Sequence, residues 1–256
     1  MIYKARRGWV VNFEKIDKLK IELDSLRPLP AAAVRNLEDI YRVEWTYHSN
    51  AIEGNTLTLL ETKLVLEDGL AIGGKKLREH FEVINHAEAI HYVKDIVHRN
   101  IELSEYVVKS IHQLVLRNID DENTGRYRMM NVGISGSQHT PPNFAVVPEK
   151  MEKLIQWYQQ TKNILHPVEL AAQLHFQFVY IHPFTDGNGR TARLLMNLVL
   201  MGFGFPPAIV KAENGIRLKY YETLEEASVK DNLNPFINLI AECVEDSLQR
   251  YISVVK

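Results

Sequence analysis

Apolar positions recur every three or four residues along most of the chain, the spacing of amphipathic helices. Phe13 to Leu26 carries them at Phe13, Ile16, Leu19, Ile21, Leu23 and Leu26, and the pattern stops before Pro28. The same reading predicts helices over Ala31 to Ser49, Thr58 to Gly69, Leu77 to His98, Ser104 to Asn118 and Glu149 to Lys162. Four more follow, over Val168 to Tyr180, Thr191 to Phe203, Arg217 to Lys230 and Asn234 to Val255. Val168 to Tyr180 is almost wholly apolar, and a helix apolar all round belongs at the centre of a bundle. Only Asp120 to Pro148 breaks the period. There Gly125, Gly133, Gly136 and Pro141-Pro142 punctuate two short extended pieces, about Met130 to Ser135 and Phe144 to Val147. The residues fit a β-hairpin or a plain connecting loop equally well, and a lone two-stranded ribbon would need support from the helices. The predicted fold class is all-α.

Composition narrows this picture. A chain of 256 residues, 46% hydrophobic, buries a full core as one domain or as one domain with an extension. Thirty basic against 32 acidic residues leave a net charge of −2, so no global field points to nucleic acid or to a membrane surface. Cys243 is the single cysteine, which excludes an internal disulfide and favours a reducing, cytoplasmic compartment. Met1 to Arg7 is basic with no apolar stretch behind it, so no secretory signal is expected. No run approaches the ~18 apolar residues of a membrane span.

The chemistry concentrates in Tyr180 to Arg193, Y-I-H-P-F-T-D-G-N-G-R-T-A-R, between the two most apolar helices. Pro183 ends the first helix near His182. Gly187-Asn188-Gly189 can take positive φ and turn its backbone N–H groups into an anion-binding nest, at a helix N-terminus that already favours negative charge. Arg190 and Arg193 in the first turn oppose the helix dipole by ~0.3–1 kcal/mol each, so a bound polyanion is the economical explanation. Asp186 would repel that anion unless a divalent ion such as Mg²⁺ lay between them. His182 is the one nearby titrating base. Each feature alone has an ordinary reading: a helix-end histidine, a surface turn, a solvated basic face. Together they point to a nucleotide phosphate site with a general base. His175, two turns before His182, reads as a core residue behind it. His80, His86, His91, His98 and His112 read as packing or surface residues, and His139 as non-catalytic.

A second stretch, Ser49 to Leu57 (S-N-A-I-E-G-N-T-L), ends a helix at Gly54 with Glu53 in the last turn. A carboxylate there also opposes the dipole, so either it is a plain surface residue or a cation neutralises it.

His182 to Arg193 (H-P-F-T-D-G-N-G-R-T-A-R) resembles the complete signature of the Fic (Fido) family, without departure at any defining position. The resemblance implies a Fic-type helical bundle with one short β-hairpin flap and an N-terminal helical extension. It divides the chain into an N-terminal helical region (1–103, inhibitory helix about 45–54), a Fido catalytic domain (104–239) and a C-terminal helix (240–256). It implies a protein adenylyltransferase that moves AMP from ATP, with Mg²⁺, to a hydroxyl side chain of a target protein. His182 would be catalytic, Asp186 would hold the metal, and Gly187, Asn188, Gly189, Arg190, Arg193, Tyr220 and Tyr221 would bind ATP. Ser228 departs from the asparagine common on the adenine side. S-x-x-x-E-G at Ser49 and Glu53 resembles the family's inhibitory motif, whose glutamate pairs with the second signature arginine, here Arg193. G-R-Y-R and the following G-S-x-H-x-P-P make about 130–147 the flap that holds a protein substrate by strand addition. Removal of AMP by the reverse reaction, transfer of UMP or phosphate instead, a non-catalytic nucleotide-binding role and homodimerisation all stay open. The A-I-E-G-N-T-L-T-L run is similar to that of the metazoan members that modify a chaperone, although neither their membrane anchor nor their tetratricopeptide repeats are expected here.

Overall fold

At the centre lie two antiparallel helices, α7 (Pro167–Ile181) and α8 (Asn188–Gly202), joined by the signature loop. α7 starts where Pro167 can sit without losing a helical hydrogen bond and where the His166 ring accepts the Val168 N–H at 3.2 Å. Leu170, Ala171, Ala172 and Phe178 on α7, and Leu194, Leu195 and Met196 on α8, are fully or almost fully buried. This computed structural model describes residues 11–256, and the reading of a basic, non-secretory Met1 to Arg7 lies outside them.

Around the pair stand α1 (Glu14–Ser25), α2 (Ala31–Ile52), α3 (Leu59–Asp68), α4 (Leu77–His98), α5 (Glu105–Leu116), α6 (Val147–Thr161), α9 (Asn214–Lys230) and α10 (Asn234–Val255). α4 packs along α8, α2 and α5, so α2 reaches the centre with its last turn, where Ser49, Asn50 and Ile52 are buried. α10 lies against α1, α7 and α9. Local signals set the ends: Thr58 and Glu61 form a reciprocal capping box on α3, and Ser104 caps α5. No helix among the described residues is long and apolar enough to cross a membrane.

Two expectations change. Met130 to Ser135 and Phe144 to Val147 do not pair, and no strand occurs among the described residues. Pro141 and Pro142 have no N–H to offer a ladder. Asn143 Oδ1 accepts the Ala145 N–H at 2.9 Å, winding Phe144–Val146 into a 3-10 turn that runs straight into α6. The second change is that α8 begins at Asn188, three residues before Thr191. Of the two loop glycines only Gly187 has positive φ (+74°), whereas Gly189 is helical.

Candidate active site

The loop is held open by its own residues. His182 ends α7 in the left-handed region (φ +50°), with its N–H still donating to Phe178 O at 3.0 Å. Phe184 turns inward, and the Asn188 side chain closes the turn by accepting the Phe184 N–H at 3.0 Å and donating to Phe184 O at 2.9 Å. His112 of α5 stacks on the Phe184 ring at 3.5 Å. Its Nδ1 accepts the Gly125 N–H at 2.9 Å, which leaves Nε2–H to donate to Asp186 O at 3.0 Å. A Cβ on Gly187 would lie 3.3 Å from that Nε2. Burial, with Arg190 adding, pushes His112 down to about 4, so the ring is neutral as this bonding requires.

α8 starts without a side-chain cap, so its first N–H groups have no side chain of the N-cap residue to bond. Against this first turn lies Glu53, whose carboxylate fills the space a Cβ on Gly189 would need. Arg193, 2% exposed, donates from Nη2 to Glu53 Oε1 and to Ser49 O, both at 2.7 Å, and from Nε to Ser49 Oγ at 3.0 Å. Its Nη1 reaches Tyr220 OH at 3.2 Å, and that hydroxyl lies 3.0 Å from His175 Nε2. Glu53 thus occupies the position an external anion would take at a helix N-terminus.

Arg190 is as buried as Arg193 but less engaged. It donates to Asp186 Oδ1 at 3.3 Å and lies 3.5 Å from Glu82 Oε1, while its Nε and Nη1 have no hydrogen-bond partner. Asp186 also accepts Arg78 Nη2 at 2.6 Å and the Gly187 N–H at 2.6 Å. Burial works to raise the Asp186 carboxyl, but Arg190, the Gly187 N–H and Arg78 outweigh it and hold it below the ordinary value. No three metal-ligating side chains cluster among the described residues. A single carboxylate beside a phosphate site still fits Mg²⁺, which takes one or two carboxylates together with phosphate oxygens and water.

His182 Nδ1 is buried without a hydrogen-bond partner. Burial first, then Arg128 and His139, push its pKa down to about 4 against the opposing pull of Val179 and Glu53, so the ring is neutral at pH 7 and can accept a proton. His139 sits at the rim, stacked on Tyr180 with Nε2 2.8 Å from Tyr180 O.

His182, Asp186, Gly187, Asn188, Gly189, Arg190, Arg193, Ser49 and Glu53 therefore meet at one place. The two tyrosines sit differently from the expectation. Tyr220 is 1% exposed and spends its hydroxyl on Arg193 and His175, so it lines no open pocket. Tyr221 keeps an exposed ring, but its hydroxyl donates to Ile52 O at 3.0 Å, beside Arg217 Nε on the same carbonyl at 3.0 Å. Arg78, Glu82, Arg128 and Arg217 were not legible in the sequence. They come from distant segments, and of them only Arg128 lay in a recognisable motif.

The family model described as Fic/DOC family matches residues 102–200. Protein adenylyltransferase Fic of Nematostella vectensis is 40% identical over 249 residues, which is 94% of this chain and 56% of that protein. Protein adenylyltransferase Fic of Culex quinquefasciatus is 37% identical, over 94% of this chain and 47% of that protein. The chain thus spans about half the length of the curated relatives it matches. Among solved structures, a Fic domain containing signaling protein from Bacteroides thetaiotaomicron superposes with a TM-score of 0.88 at 30% identity, covering 94% of this chain and 97% of that one. Fic-1 from C. elegans superposes with a TM-score of 0.83 at 36% identity, covering 94% and 71%.

Proposed function

The chain belongs to the Fic/DOC family, and from that premise we propose that it is a protein adenylyltransferase held in check by Glu53. The observation that carries the reading is an internal carboxylate gripped by Arg193 over the bare N-terminus of α8, an anion site already filled by an anion. In the active state the phosphates of ATP would take that place, at the first turn of α8 and against the two arginines, including the Arg190 Nε that has no hydrogen-bond partner. Asp186 would hold Mg²⁺ together with those phosphates, supplying charge neutralisation as the pyrophosphate departs. His182, neutral at pH 7, accepts the proton of a Ser, Thr or Tyr hydroxyl on the target. The hydroxyl oxygen bonds to the α-phosphorus, the bond from that phosphorus to the pyrophosphate oxygen breaks, and AMP stays on the target. The target segment would run along the 130–147 stretch, beside His182.

The test uses ATP labelled at the α or the γ position, with Mg²⁺ and lysate. Glu53→Gly protein is expected to fix α-label to protein and no γ-label, and His182→Ala in the same background to lose ~10²–10⁴-fold of that rate. Incorporated γ-label would mean a phosphate transferase. Unchanged α-label after loss of His182 would remove the general base from the scheme.

A further inference from the structure

Arg128 is 3% exposed, yet among the described residues no carboxylate pairs with it. Its side chain donates only to backbone carbonyls: Nε to His182 O at 2.9 Å, Nη1 to Met130 O at 2.9 Å, and Nη2 to Pro142 O. Its own N–H donates to Pro183 O at 2.9 Å. A buried cation without a counter-charge is costly, and three carbonyl dipoles meet that cost here. One belongs to the C-terminal end of α7, whose dipole also favours a positive charge.

The acceptors are informative in their placement. Met130 and Pro142 flank the stretch 131–141, so one guanidinium fork closes that stretch at its base. The third acceptor is the carbonyl of His182, a non-glycine residue held in the left-handed region at φ +50°. We infer that Arg128 is a positioning residue: its fork fixes the backbone of His182 and, through the same side chain, sets the 131–141 segment against it. A hydroxyl carried along that segment then meets the base in one geometry. This inference rests on the adenylyl-transfer reading for its consequence, and on the hydrogen bonds alone for its structural content.

Arg128→Lys keeps the charge but cannot reach three carbonyls at once. In the Glu53→Gly background it is expected to lower kcat for α-label transfer to lysate protein by about 10²-fold, the effect of a misplaced reacting group. The KM for ATP and the ATP affinity from calorimetry are expected to stay within about twofold, because the phosphate groups bind elsewhere. Amide hydrogen exchange is expected to quicken in 129–143 and 182–186 together. Unchanged kcat, loosening of only one of the two segments, or loss of ATP affinity would each overturn the inference. Should Arg128→Lys fail to melt cooperatively, Asn131→Ala decides. It removes only the bond in which Asn131 Oδ1 accepts the Phe144 N–H at 3.0 Å, so exchange should rise in 129–143 and not in 182–186. Loosening of both segments by Asn131→Ala would mean that their coupling does not run through Arg128. If the Glu53→Gly parent neither binds ATP nor transfers label, the enzymatic reading fails, while the exchange measurements still judge Arg128.

Discussion

Glu53 and Arg193 sit 140 residues apart in sequence and 2.7 Å apart in space. Arg193 is buried, whereas the Glu53 side chain is 34% exposed, so water screens part of the pair. Replacing Glu53 by Gln keeps the shape and removes the charge, at a cost of about 1 kcal/mol. The variant should melt lower than the parent without nucleotide, and ATP should raise its melting temperature by more than it raises the parent's. Equal shifts would show that Glu53 does not compete with the nucleotide. His112→Phe is the second test at this scale. It keeps the stack on Phe184 but strands the Gly125 N–H and the Asp186 carbonyl, and should cost about 2–4 kcal/mol in urea unfolding. A cost under about 0.5 kcal/mol, the range of an ordinary surface substitution, would mean those bonds do not hold the loop.

At the scale of elements, the end of α2 matters most, because Glu53 follows it directly as its C-cap. Ile52 O at its end accepts from both Tyr221 OH and Arg217 Nε of α9, and a cation there complements the helix dipole. α9 is thus a latch on the helix that places Glu53. Tyr221→Phe combined with Arg217→Met should speed amide exchange at 50–54 and raise ATP affinity part of the way toward that of Glu53→Gly. A fall in ATP affinity would instead make Tyr221 a contact to the base. Helix identity was readable from periodicity, and Leu77 to His98 and Asn234 to Val255 match α4 and α10 end for end. The start of α8 was not, because Asn188 and Gly189 look like loop residues until the Asn188 side chain is seen closing the turn onto Phe184. The hairpin failed for a related reason. Gly and Pro spacing marks where helix stops, but strand pairing needs a partner with free donors, and Pro141-Pro142 supplies none.

Across the whole molecule, four histidines, three of them buried and His182 half-buried, share one consequence. His182 and His112 are pushed down to about 4, and burial takes His86 and His175 well below the ordinary value. Unfolded, each would bind a proton below about 6.5, whereas the folded protein does not until lower pH. Between those limits the unfolded state binds more protons, so stability falls as pH drops from about 6.5 toward 4, by up to about 1.4 kcal/mol per pH unit for each histidine. Urea unfolding at pH 7, 6 and 5 should show this decline, and His175→Phe should flatten it. A profile level over that range would contradict the neutral state of these rings.

By itself the sequence determined the helices, the central place of the most apolar one, and the family signature at His182 to Arg193, since periodicity and a contiguous motif are local properties of a chain. It left Glu53 open between a plain surface residue and an acid neutralised by a cation, because a carboxylate in a last helical turn is locally unfavourable but tolerable in water. Only the tertiary structure decided which groups answer one another across the bundle. Tyr220 turns inward to Arg193, Arg78 takes Asp186, and Arg128 is spent entirely on backbone carbonyls. Carbonyl acceptors carry no residue identity, and the distance between a donor and its partner is set by how whole helices pack, so no pattern along the chain records those bonds.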